Sequence, residues 1–156
     1  FVDGAGGEPI AGTGLSPASW DELARLRDER VTLGSHSHAH RDLPGLTDAE
    51  VADDLARARH LLAERLGVEA RHFCYPRALA SRRVGRVVAR HHESAAVAGG
   101  RLNRPGAAPL RLSRIPVLRQ LGPDLEPLLG HRVQLREWLA NRLRRPRAWW
   151  RRRRAA

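Results

Sequence analysis

The apolar positions of this chain fall into short periodic runs separated by turn-forming residues, and the runs alternate between helical and extended spacing. Trp20, Leu23 and Leu26 recur on one helical face, and Ser19 with Glu22 forms a capping-box pair just ahead of them. Residues 31–33, Val-Thr-Leu, read as a short strand. Thr47 and Glu50 repeat the capping box; behind them Val51, Leu55, Ala58, Leu62 and Leu66 keep helical spacing until Gly67 stops the helix. A strand over 72–75, a helix over 84–91 and an apolar strand over 95–98 follow, and after the turn-rich Asn103-Arg104-Pro105-Gly106 a last strand is predicted over 114–118. Ahead of all these, Phe1-Val2 leads into a glycine-rich stretch that runs to Gly14.

Strand and helix in alternation predict an α/β layer with parallel strands. Ligands in such folds gather at the carboxyl ends of the strands. Residues 34–40 and Tyr75-Pro76 both fall at such ends, which gives two distant segments one expected location.

Composition divides the chain. Its 156 residues suffice for one domain with a core, residues 1–120, followed by a different stretch over 121–156. All 28 basic residues are Arg, against 17 acids, for a net charge of +11. From Leu121 onward 10 Arg and 3 acids give +7, which leaves only +4 (18 minus 14) for the first 120 residues. There Leu125, Leu128, Leu129, Leu135, Trp138 and Leu139 suit an amphipathic helix that Pro146 breaks. Arginines flanking Trp149-Trp150, over 142–154, suit an anionic membrane surface or an acidic polymer, with nucleic acid the less favoured partner; a solvated tail is the plainer alternative. The one cysteine, Cys74, excludes an internal disulfide and a Cys-rich zinc site, and reads as a buried strand residue. No apolar run approaches the roughly 20 residues that span a bilayer. Because the chain begins at Phe1 rather than Met, the compartment stays open between cytoplasm and cell envelope.

The candidate chemistry lies in Gly34-Ser35-His36-Ser37-His38-Ala39-His40. Imidazole is the commonest protein ligand of catalytic transition metals, and three in five residues at a strand end point to a metal; three solvated loop histidines are the alternative. His91 and His92 close a helix, where an imidazolium favours the dipole, and read as structural.

Three stretches together resemble the polysaccharide deacetylase family, the NodB-type carbohydrate esterases. His36-Ser37-His38-Ala39-His40 matches the family's His-Ser/Thr-x-x-His motif at each fixed position. Phe73-Cys74-Tyr75-Pro76 looks like its Phe-x-Tyr-Pro motif, and Asn103-Arg104-Pro105-Gly106 with Arg114-Ile115-Pro116-Val117 is similar to the closing region of bacterial members. The resemblance implies a distorted (β/α) barrel of seven strands, here partial, and a hydrolase that removes acetyl groups from saccharides with a divalent metal, most often zinc. It implies that His36 and His40 are metal ligands and that His38, the variable position, is not. It places the oxyanion and substrate contacts at Tyr75 and Arg77, with the Arg77 N–H as donor.

Departures accompany the match. The family's Thr-Phe-Asp-Asp-Gly supplies the base and the third metal ligand, and no Asp-Asp-Gly exists here. Asp53-Asp54 lies inside the second helix, and Asp3 is too close to His36 for the intervening helix and strand. Phe1-Val2 therefore reads as the end of the family's second strand, with both aspartates ahead of it. Ala78 stands where the family has Gly, which puts the oxyanion geometry in question. Leu129-Gly130-His131 matches the letters of the motif that supplies the general acid, and His131 is carried on those letters alone. Two other classes remain beside the deacetylase of N-acetyl sugars: an inactive remnant that binds sugar or assists an assembly, and a binder that acts through its arginine tail.

Overall fold

The computed structural model describes residues 16–98 and 102–115. Expectations for the glycine-rich start, Asp3, the strand beyond Ile115, the boundary at 120, the tail and His131 lie outside the described residues.

Three helices and a parallel sheet make up the described fold: α1 (Trp20–Asp28), α2 (Asp48–Leu66), β1 (His72–Cys74), α3 (Arg82–Val88), β2 (Ser94–Ala98) and β3 (Leu112–Arg114). Both capping boxes form as their residues dictate. Ser19 Oγ accepts the Glu22 N–H while the Glu22 carboxylate accepts the Ser19 N–H, and Thr47 and Glu50 do the same for α2. Gly67 ends α2 in the left-handed conformation at φ 63°, which a residue without a Cβ reaches at no steric cost. α3 starts two residues earlier than its apolar pattern suggests, because Ser81 caps the Val84 N–H, and it stops at Val88.

The sheet runs in the order β1–β2–β3, all parallel, with His72 beside Ser94 and Ala96 beside Leu112. Residues 31–33 do not form the expected strand. Contact with the sheet is a single bridge from Ser35 to Phe73, in which Ser35 donates to His72 O and accepts from Cys74 N. Leu33 instead packs with Trp20, Leu23 and Val68 around Leu62, Leu66 and Ala70, so tertiary packing overrides the β-branched run. The bridge needs Gly34: a Cβ there would meet His72 O at 3.0 Å.

The main core joins the helices to one face of the sheet, with Val51, Leu55, Val84, Val87 and Val88 packed on Phe73, Tyr75 and Ala95. Strand alternation turns Phe73 into this core and leaves Cys74 half-buried on the opposite face, not fully buried as expected. Burial pushes its thiol pKa up, so the thiol stays protonated at neutral pH. His92 is also not the helix-end imidazolium of the sequence reading. It is 5% exposed, donates from Nδ1 to Ala70 O at 2.9 Å and stacks on Phe73. Burial lowers its pKa to about 4, so the ring is neutral. No helix among the described residues is long and apolar enough to cross a membrane.

Candidate functional site

The bridge at Ser35 delivers the next residue, His36, to the carboxyl end of β1. His36 Nδ1 lies 2.7 Å from Cys74 O. A carbonyl only accepts, so Nδ1 carries the proton and the lone pair is fixed on Nε2. That arrangement, an imidazole oriented through its other nitrogen by a backbone carbonyl, is how metal-ligating histidines are held. The ring of His40 meets that of His36 edge-on, centroids 4.9 Å apart. Burial lowers the His40 pKa, the neighbouring His36 and Arg77 add to the effect, and Asp42 opposes it. A neutral imidazole is the form that ligates.

Between the two rings the chain turns tightly. Ser37 and His40 both take positive φ, 73° and 52°, which non-glycine residues adopt at some cost. Three consecutive N–H groups in the turn find side-chain oxygens: those of His38 and Ala39 reach the two carboxylate oxygens of Asp54 at 3.1 and 3.0 Å, and that of His40 reaches Ser37 Oγ at 2.8 Å. The residues after Ser35 thus form a turn, and the three histidines do not line one face of a strand. Behind it Arg83 of α3 donates to Pro44 O, Leu46 O and Asp48 and ties the following loop to the core.

The segment after β1 completes the site. Arg77 and Ala78 are both left-handed, at φ 53° and 58°. Ala78 thus takes the conformation for which glycine is the default residue, at a cost of about 1–2 kcal/mol. Arg77 Nε lies 3.5 Å from Asp42 Oδ1, an ion-pair contact that bridges this segment to the histidine loop. None of the described backbone acceptors takes the Arg77 N–H. The Tyr75 side chain turns away from the histidine loop. It is 2% exposed, turned into the core against Phe73, and its hydroxyl donates to Leu110 O at 3.1 Å.

Sequence reasoning missed Asp54. The signal was present, since an acid at 54 falls on the same helical stripe as Val51, Leu55 and Ala58. Among the described residues no group of three His, Cys, Asp or Glu converges as a metal site, so His36 and His40 form a pair and not a complete centre.

A family model of polysaccharide deacetylases matches residues 8–95, more than half of the chain. The chain belongs to the polysaccharide deacetylase family. Its fold is similar to that of IcaB from Ammonifex degensii, at 22% identity and a TM-score of 0.66 over 83% of this chain and 60% of that one. The Streptococcus pyogenes deacetylase PplD, solved with acetate, gives 15% identity and a TM-score of 0.65 over 72% of this chain and 50% of that one. The deacetylase domain of BpsB from Bordetella bronchiseptica gives 22% and 0.60, over 72% and 56%. The chain thus spans at most three fifths of the length of these structures. No curated protein sequence matches it significantly.

Proposed function

We propose that this chain carries the two-histidine part of the metal centre of a sugar deacetylase, a hydrolase acting on the acetyl amide of an N-acetylated saccharide within a partial NodB-type barrel. One observation carries the reading: His36, with Nδ1 committed to Cys74 O, sits 4.9 Å from the neutral His40. The donor set fits a divalent ion such as zinc, with His36 and His40 as ligands and the third ligand and base supplied from outside the described residues. Such a metal, when bound, polarises a carbonyl oxygen and lowers the pKa of water.

The chain's own residues do the rest. The Cys74 carbonyl holds one imidazole in a single tautomer, and burial keeps the other unprotonated near neutral pH. The Arg77 N–H, presented by two consecutive left-handed residues, is the donor aimed at the developing oxyanion. The Arg77–Asp42 contact links the segment that carries that donor to the histidine loop.

Zinc titration of the wild-type chain and of the His36→Ala, His40→Ala double variant tests the reading. Wild type is expected to bind at least 100-fold more tightly (on the order of 3 kcal/mol). Equal affinities refute it.

A further inference from the structure

We propose that Asp54 is the positioning residue of the His36–His40 pair: its buried carboxylate sets the turn that brings the two imidazoles together. What the pair binds rests on the reading above; the anchoring itself does not.

Asp54 sits on the core stripe of α2 and is 3% exposed. Among the described residues it makes no ion pair, and its two oxygens go one each to the N–H groups of His38 and Ala39. Burying a carboxylate without a cation costs several kcal/mol unless hydrogen bonds compensate it. An apolar residue would serve the helix better at this position, so the acid answers a demand from the loop.

That demand is specific. The turn from Ser37 to His40 has no sheet partner, and left-handed residues stand at both of its ends. Two consecutive N–H groups point the same way and need two acceptors side by side, which one carboxylate supplies. An amide would offer one acceptor and set its own NH₂ against the other N–H. A glutamate would overshoot by about 1.5 Å, one bond along the chain. Ser37, fully buried, accepts the third N–H, that of His40, so three consecutive donors of the turn are held. This pinning sets where the backbones of His36 and His40 stand, and the Cys74 carbonyl then orients the His36 ring.

Asp53 provides the control. It is one residue away on α2, half-exposed, and paired with Arg57 at 2.9 Å. Asp53→Asn removes the same charge without touching the loop.

The experiment combines zinc affinity with amide hydrogen exchange on the full chain. In wild type the His38 and Ala39 amides are expected to be protected; exchange at free-peptide rates overturns the proposal without any variant. Asp54→Asn is expected to speed exchange at those two amides and to weaken zinc binding by about 10- to 100-fold, the range for losing a group that orients a ligand. Asp53→Asn is expected to change neither. An Asp54→Asn protein that folds and keeps both wild-type exchange and wild-type affinity overturns the proposal. If Asp54→Asn does not fold, Asp54→Glu replaces it, and faster exchange at His38 and Ala39 with weaker zinc binding is the supporting result, wild-type behaviour the refuting one. Should wild type and the double histidine variant bind zinc equally, the metal reading fails while the exchange data still decide the anchoring.

Discussion

Lowering the pH should destabilise this protein through His92 before its carboxylates matter. The ring is 5% exposed and stacked at 5.0 Å on Phe73, and its Nε2 is buried with no hydrogen-bond partner among the described residues. A proton added there would have no acceptor, and Arg59, His91 and His72 would repel the charge. The folded-state pKa of about 4 lies below the ordinary histidine value of 6.5, so the unfolded chain takes up a proton that the folded chain refuses. The resulting stability is complete above pH 6.5 and is lost as pH falls from there through 4. A shift of roughly 2.5 pH units at 1.36 kcal/mol each comes to about 3 kcal/mol, a large fraction of the 5–15 kcal/mol typical of a domain. Urea denaturation of wild type and His92→Gln from pH 7.5 to 4 measures it. The variant should be less stable at pH 7 but have a profile flatter by about 3 kcal/mol across that window. His40 and His91 shift in the same direction and remain in both proteins, so the difference isolates His92. Parallel profiles, or an NMR titration of His92 with a midpoint near 6.5, would refute the reasoning.

Two further substitutions test the backbone of the site. Ala78→Gly should stabilise the protein by about 1 kcal/mol, against the usual direction of Ala→Gly, because it relieves a Cβ at φ 58°; a lower thermal midpoint would sink this idea. Gly34→Ala forces a Cβ to 3.0 Å from His72 O and should cost about 1–3 kcal/mol while pushing His36 away from Cys74. Unchanged stability and unchanged zinc affinity in that variant would show that the bridge at Ser35 does not position the site. The zinc titration of the histidine variants and the exchange experiment on Asp54 complete the set.

Much of this was legible in the sequence, for local reasons. Ser19 with Glu22 and Thr47 with Glu50 declare helix starts because their reciprocal bonds span only three residues, and Gly67 declares a stop because its conformation is its own. The five apolar positions named for α2 are all buried, since helical spacing alone fixes which residues share a face. His36 and His40 came from a motif. The strand at 31–33 failed because a strand requires a partner, and only Ser35 reaches β1. His92 failed because a helix end says nothing about which side of it is covered. Asp54 was passed over because an acid on a core stripe looks like an error until the N–H groups of a loop 15 residues earlier are seen to converge on it.

By itself, then, the sequence determined the capped starts of α1 and α2, the core face of α2 and the two imidazoles, all properties that propagate along a few residues of chain. Only the tertiary structure decided that Cys74 O fixes the His36 tautomer, that Tyr75 turns inward, that Ala78 takes a glycine's conformation and that Asp54 holds the turn. The hydrogen bonds among these join groups 15 to 38 residues apart in the chain. Hydrogen bonds over such separations leave no periodicity behind them, because their geometry is set by how the elements pack and not by the order of residues.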